Sequence, residues 1–474
     1  MKERDQLKTK ATSLFLSTGH SEEVEEAWAK FRTLRNRINN VKKNEAYKYK
    51  KNVLIECEGD SKTTWNQVKK FMEWKMSGSP HQIEVDNKLY RSAREVAIKM
   101  NEYFIHKVSN LRSTFQGQNL DLRGCQESML NKSCRLSLNF VSVQKVEKIL
   151  KSLKSSRATA IDGLDSYSLK ISAGFVAVPI HHLITLSIMQ QKFPSLWKLA
   201  KILPLHKKGN ILERKNYRPV SILSPVSKVL ERVIYDQLYM YFSRNRIFHQ
   251  NVMGYRKNRS TMTALLQMYD RWVSGARYKM MNRIILLDFS AAFDLVNSEI
   301  LLQKLEVERE FIQWIKWFMS FWKQAVWIDR EFSNLLYKEL GVRQGCILGL
   351  LLFIIFSNNL PHLLSCTLDQ YEDDSTLISV KSSVQERNLE LNEHCQKVTE
   401  WMQMNELQLN IDKTHLLVGG TSQISISRTT VCKKRVNFHT TMCAKTRQFP
   451  FDRLSLNSVH FLCVICVNLF SPNL

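Results

Sequence analysis

Residues 368–380, LDQYEDDSTLISV, place two aspartates side by side, Asp373 and Asp374, between segments that carry apolar residues. The pattern reads as two short strands joined by a turn at Glu372, Asp373 and Asp374. Neighbouring carboxylates repel one another unless a cation lies between or beside them. The stretch is therefore either an exposed acidic turn or half of a cation site.

A second segment bears on that choice. In RIILLDFSAAFDLV, residues 283–296, the continuous apolar run Ile284–Leu287 ends in Asp288. Such a run predicts a strand buried on both faces, and a carboxylate at its end is costly unless it is paired or bound to metal. A strand-end aspartate with a hairpin pair of aspartates suits two-metal phosphoryl transfer. Hard divalent ions such as Mg2+ take these oxygen ligands and keep waters and phosphates in their shell.

Composition points the same way. The chain has 474 residues, 44% of them hydrophobic, enough for two or three domains with proper cores. Its 69 Lys+Arg against 44 Asp+Glu give a formal charge of +25. That surplus favours a polyanionic partner, nucleic acid ahead of an anionic membrane. The first thirty residues lack the apolar core of a signal peptide, so an intracellular protein is expected. Ten cysteines are scattered, and only Cys463 and Cys466 are closely spaced, so a metal or redox role for them is not expected. No G-x-x-x-x-G-K-[ST], H-E-x-x-H or G-x-S-x-G motif occurs.

Residues 21 to about 55 contain no Pro or Gly and predict one long, exposed, basic helix. Residues 77–88 read as a turn-rich linker and Gln116 to Ser133 as a polar stretch, which sets a domain boundary near 135. Beyond it, Val143, Val146, Ile149, Leu150 and Leu153 share one helical face, and HHLITLSIMQQ reads as a buried helix. The strand KILPL runs into a basic loop: Lys198 to Arg218 holds seven Lys/Arg, among them Lys207 and Lys208, and a single acid, Glu213. In GYRKNRSTMTALLQMYDRWV, Arg256, Lys257 and Arg259 precede a helix capped by Ser260 or Thr261, with Met262, Leu265, Leu266, Tyr269, Trp272 and Val273 as its apolar stripe. Both basic loops are phosphate-contact candidates, and a solvated turn is the alternative.

Taken in order, FPSLWKLAKILPLHKKG, NYRPVSILSPVSKVLERVIYDQL, GYRKNRSTMTALLQMYDRW, LLDFSAAFDLVNSEILLQKL, GVRQGCILGLLLF, YEDD and WMQMNELQLNIDKTHLL resemble the reverse transcriptases of LINE-type non-LTR retrotransposons, most nearly the Rex/Babar-type branch. The resemblance covers about residues 140–420. It implies an α+β fold, a right-hand polymerase with fingers and an antiparallel palm sheet flanked by helices. The implied domains are a helical basic linker region at 1–134, fingers and palm at 135–422, and a non-matching, poorly ordered tail at 423–474.

By the same resemblance, Asp288, Asp373 and Asp374 hold two Mg2+ ions, with Mn2+ as a substitute. Phe293 lies beneath the incoming sugar and excludes a 2′-hydroxyl. Phe289, Gln344 and Gly345 pack around the nucleotide, Arg218 meets its phosphates, and Lys413 donates a proton to pyrophosphate. Lys207, Lys208, Arg256 and Arg259 contact nucleic acid. The implied reaction is RNA-directed DNA synthesis from dNTPs on an RNA template and a DNA primer, in the nucleus, with no membrane involved. Arg343 and Leu350 stand where the family usually has proline, Cys346 where it has serine, and Glu372 where it has a small or apolar residue. These departures, an absent endonuclease and a missing or degenerate thumb give the expectation of a partial, decayed copy. The alternative function is then nucleic-acid binding alone.

Overall fold

The computed structural model describes residues 2–57, 60–71, 80–113, 115, 136–207, 209–277, 281–305, 307–339, 341–343, 345–381, 384–419, 423–427 and 449–450. Gln344, Lys208, the polar stretch 116–133, Cys463 and Cys466 lie outside them, as does most of the expected tail. The chain forms two compact units, Met1–Ser77 and Gly78–Leu474.

The first unit consists of helices α1 (Lys2–Thr18), α2 (Glu22–Glu56) and α3 (Ser61–Phe71). The long helix expected from residue 21 onward is α2, and acids Glu22, Glu23 and Glu25 in its first turn complement the positive end of the helix dipole. Its apolar contacts are few. Val24 and Phe31 are its buried residues, with Ala11 of α1.

The second unit begins with a small hairpin, β1 (Ile83–Val85) and β2 (Lys88–Tyr90), in place of a plain linker. Its helices are α4 (Ala93–Ser113), α5 (Val143–Lys151), α6 (Ser166–Ile171), α7 (Ala173–Met189), α8 (Pro225–Arg244), α9 (Thr261–Arg277), α10 (Ala292–Leu295), α11 (Ser298–Lys304), α12 (Arg309–Met319), α13 (Leu348–Ser357) and α14 (Val384–Met404). Its remaining strands are β3 (Leu199–His206), β4 (Tyr217–Ile222), β5 (Met281–Leu287), β6 (Trp322–Ile328), β7 (Glu331–Phe332), β8 (Leu336–Lys338), β9 (Thr367–Tyr371), β10 (Asp374–Lys381), β11 (His415–Gly419), β12 (Gln423–Ser427) and β13 (Phe449–Pro450). The fold is α+β. No helix among the described residues is long and apolar enough to cross a membrane.

Two sheets organise this unit. The first has the order β13-β12-β11-β5-β10-β9, so β12 and β13, the described pieces of the tail, extend it. The second runs β4-β3-β6-β7, with β8 also on β6; β3 and β6 are parallel and its other pairs are antiparallel.

The apolar run of β5 is explained by burial on both faces. Ile285 and Leu287 join the main core with Leu377, whereas Ile284, Leu286 and Ile378 pack with Met268 of α9. Strand alternation puts Asp288 in phase with Ile284 and Leu286, on the α9 side.

Several sequence expectations need correction. In α5 the predicted face is correct, with Val146, Ile149 and Leu150 buried. Helix α7 is buried on one side only, since Ile184 and Ile188 are interior while Leu183 and Met189 are exposed. Helix α9 turns Ala264, Leu265 and Met268 inward and leaves Met262 and Leu266 in solvent, because the sheet selects which flank is covered. Two lysines of the basic Lys198–Arg218 segment are structural. Lys198 donates to the carbonyls of Trp317 and Ser320 at the end of α12, and Lys201 lies over the rings of Trp327 and Phe332.

Candidate active site

The hairpin β9–β10 turns at Glu372 and Asp373, with Tyr371 opposite Asp374. Glu372 takes a left-handed backbone, φ 59°. Ser375 pairs with Leu287, so one step further the register brings Asp374 beside Asp288. The strand-end carboxylate and the hairpin pair therefore meet at one end of the sheet.

Electrostatics record that proximity. Burial pushes the Asp374 carboxyl up to about 8, helped by the charges of Asp373, Asp288 and Glu372, with Lys413 opposing. Asp373 is raised as well, chiefly by burial and partly by Asp288, while Arg218 and Lys207 pull it down. Those two cations thus sit close enough to the hairpin to act on it. Both come from the β3–β4 hairpin, where Arg218 pairs with Leu205.

Lys413 arrives from the other side. The chain after α14 runs beside the end of β5: Ser290 N–H donates to Gln408 O at 2.7 Å, Phe289 bridges Leu409, and Asn410 N–H donates to Asp288 O at 2.8 Å. The short turn Ile411–Lys413 then places Lys413 Nζ 3.0 Å from Asp288 Oδ2. Among the described residues, no three His, Cys, Asp or Glu side chains converge at metal-ligating distance. Asp288 is turned toward Lys413. The donor set nonetheless suits a hard divalent cation: carboxylate oxygens only, two of the carboxyls raised by burial and then by neighbouring like charges.

The segment before α9 clasps the hairpin turn, which the sequence did not reveal. Gln370 N–H donates to Asn251 O at 2.9 Å, Met253 N–H donates to Gln370 O at 2.8 Å, and Val252 bridges Gln370 in parallel. Gly254 follows, and a Cβ there would collide with the backbone nitrogen of Glu372. The Tyr255 hydroxyl bonds the Glu372 carboxylate and is raised, first by burial and then by that charge. Glu372, which stands where the family usually has a small or apolar residue, has Tyr255 as a partner for its carboxylate, and its charge reaches Asp374.

Other expected residues divide into two groups. Gly345, φ 106°, lies against β4, and a Cβ there would stand 2.5 Å from Ser221 O, an approach that needs glycine. Arg259 and Lys207 are exposed. Arg256 is directed inward: its guanidinium donates to His249 O at 2.8 Å and Val252 O at 3.0 Å, and it brackets the Phe248 ring. It braces the clasp. Phe289 and Phe293 are buried in the main core, Phe293 with its ring 4.4 Å from that of Phe353. Phe289 thus supports Asp288 from the core and does not present its ring to solvent. Ser260 caps α9 as expected, its hydroxyl accepting from Thr263 N–H at 3.2 Å.

The loop that leads to Gly345 is held by a buried ionic group. Lys338 pairs with Asp294, and Arg343 donates to Lys338 O at 2.9 Å while facing the Trp322 ring. Glu231 of α8, fully buried, accepts from Ile347 N–H at 2.7 Å and Leu348 N–H at 3.2 Å at the start of α13. Its carboxyl is pushed up to about 7 by burial, against those bonds.

Residues 205–465 match the family described as reverse transcriptase (RNA-dependent DNA polymerase), more than half of the chain. The chain belongs to the reverse transcriptase family. The matched span starts at residue 205, inside the first of the resembling segments, and runs past residue 422 into the tail that was expected not to match. Over 296 residues the chain is 26% identical to the probable RNA-directed DNA polymerase from transposon BS of Drosophila melanogaster, a match covering 59% of this chain and 32% of that protein. It is similar to the RNA-directed DNA polymerase from mobile element jockey of the same species, 24% identical over 59% of this chain and 32% of the relative. A third relative is the probable RNA-directed DNA polymerase from transposon X-element, 29% identical over 36% of this chain and 19% of the other. The reverse transcriptase chain thus spans about a third of the length of the first two relatives.

Proposed function

We propose that this chain carries the polymerase core of a non-LTR retrotransposon reverse transcriptase, of the Rex/Babar-type branch, and joins a dNTP to a DNA primer 3′-hydroxyl on an RNA template. The observation that carries the reading is the meeting of Asp288 with Asp373 and Asp374 at one sheet end, with Lys413 on Asp288. Family membership and the relatives' names support it.

In this reading residues 135–422 supply fingers and palm: β5, β9, β10 and β11 form the palm sheet, and β3–β4 belongs to the fingers. Asp288, Asp373 and Asp374 would hold two Mg2+ ions, which when bound activate the attacking hydroxyl and stabilise the leaving oxygen. Arg218 meets the triphosphate and Lys207 the nucleic acid, and the downward pull of both on Asp373 supports a positive field beside the hairpin. Lys413 holds a proton beside Asp288, in place for delivery to pyrophosphate. Phe293 limits the room beneath the sugar, and its packing on Phe353 fixes the ring. Gln344 and Gly345 border the nucleotide, where the glycine allows approach to β4. Arg259 and Lys208 meet the nucleic-acid backbone. The reaction belongs in the nucleus if the element copies itself onto a nicked chromosome.

Primer extension on poly(rA)/oligo(dT) with Mg2+ and dTTP tests the proposal. Extension by the parent chain and none by Asp373→Ala is the expected result. A folded parent that binds the duplex without extending it would leave nucleic-acid binding as the function. The charge of Glu372 beside Asp374 is the specific observation that favours that second reading.

A further inference from the structure

We propose that Arg271 is a positioning residue for the aspartate hairpin, an inference resting on the polymerase reading: its ion pair with Asp369 ties α9 to β9 and sets where Asp373 and Asp374 stand. Strand β9 is the edge strand of its sheet, paired along its length with β10 and, on its other side, bridged only at Gln370 among the described residues. Edge strands with a free side fray or shift unless something covers them. Here the cover is the short segment 251–254, joined to Gln370 by two backbone hydrogen bonds.

Arg271 connects all three parts. One guanidinium nitrogen bonds Asp369 Oδ2, and the other lies 3.5 Å from Asn251 Oδ1, on the covering segment. Asp369 pairs across the hairpin with Thr376, and Tyr371 with Asp374, so alternation puts Asp369 and Asp374 on one face. Both line a small cavity roofed by Met253, Ala264 and Met268. The strut therefore stands in the compartment directly behind Asp374.

The polar inventory of that compartment shows why the strut is needed. Asp369 is 5% exposed, and among the described residues its Oδ1 has no hydrogen-bond partner. A buried carboxylate left without its cation is strongly disfavoured; it must take up a proton or move toward water, and in either case the tie between α9 and β9 is lost. Asp369 lies four residues ahead of Asp373 on the strand that ends in the turn. Any outward shift of β9 displaces the turn with it. Arg271 acts through the hairpin.

The test compares the full chain with its Arg271→Ala and Arg271→Lys variants by hydrogen exchange and by primer extension. In Arg271→Ala, amides of residues 368–376 should exchange at least about ten-fold faster while those of β11 and α13 keep their rates. The kcat for dTTP addition should fall at least about ten-fold with KM within about two-fold of the parent, and lysine should restore both in part. Unchanged exchange in the hairpin overturns the proposal, as does acceleration spread evenly over the unit. A loosened hairpin with unaltered kcat overturns it too. If the parent chain extends no primer, the polymerase reading falls on that result alone, and the exchange rates still decide whether Arg271 sets the hairpin.

Discussion

Lys413 Nζ stands 3.0 Å from Asp288 Oδ2, although 125 residues separate them in sequence. The pair is partly exposed, with side-chain accessibilities of 47% and 27%. Such pairs contribute at most about 1 kcal/mol to stability. Its importance is chemical. Lys413→Ala is expected to lower the single-turnover rate of primer extension by about a hundred-fold, within the range for loss of a general acid. The thermal unfolding midpoint should stay within about 2 °C. An unchanged rate would remove Lys413 from the proposed chemistry.

Glu372 imposes a charge on Asp374 from the turn and is held there by Tyr255. Glu372→Gln removes the charge and keeps an acceptor for the tyrosine hydroxyl. With less negative charge nearby, Asp374 ionises more readily, and the nucleotide meets less repulsion. Extension by the variant should be faster than by the parent at neutral pH. A rate profile for the two proteins checks this. A slower variant at every pH would mean that Glu372 supports the turn and does not burden the site.

The sheet end was legible in the sequence for a definite reason. An apolar run closing on Asp288 and a two-residue acidic turn are local patterns, and strand alternation converts them into a shared face. Helix α2 was legible because propensity is local as well. The Arg271–Asp369 tie was not, since its partners lie 98 residues apart and neither sits in a motif. Nor was the stripe of α9: Met262 and Leu266 are apolar, yet the helix meets the sheet through Ala264 and Met268. Charge counting failed at Lys198 and Lys201, whose ammonium groups are enclosed by aromatic rings and helix-end carbonyls. Composition reports how many cations a segment has, not which of them the core retains. The role of Gly254 was hidden for a similar reason, because only the folded chain shows the backbone it must clear.

Glu231 predicts a pH dependence of stability. Its carboxyl titrates near 7 in the folded chain against 4.5 ordinarily. The folded state therefore holds a proton that the unfolded state has lost between those values, and stability falls as pH rises through that window. The full effect is about 3 kcal/mol. Glu231→Gln stays neutral throughout and can still accept from the α13 amides. Urea unfolding from pH 4.5 to 7.5 should show the parent losing stability relative to the variant as pH rises, with the difference levelling off above about 7. A difference independent of pH would mean that Glu231 is ionised in the folded protein.

Glycine substitutions separate steric contact from backbone strain. At Gly163, φ 74°, a Cβ meets nothing within 4 Å, so alanine there adds only the strain of a left-handed backbone. That costs about 1 kcal/mol and should leave primer extension intact. At Gly345 the same class of strain is joined by the Ser221 carbonyl at 2.5 Å, and backbone cannot rotate aside as a side chain does. Alanine at 345 must push the loop away from β4. Gly254 is the complementary case, with no positive φ but with the Glu372 backbone in the path of a Cβ. Gly254→Ala and Gly345→Ala should each cost about 1–3 kcal/mol in unfolding free energy. Each should reduce kcat by at least about ten-fold, because a displacement near 1 Å beside reacting groups has effects of that size or more. Unfolding curves and steady-state kinetics on the three variants make the comparison. Equal behaviour of Gly163→Ala and Gly254→Ala would show that the clasp on the hairpin yields without consequence for the aspartates.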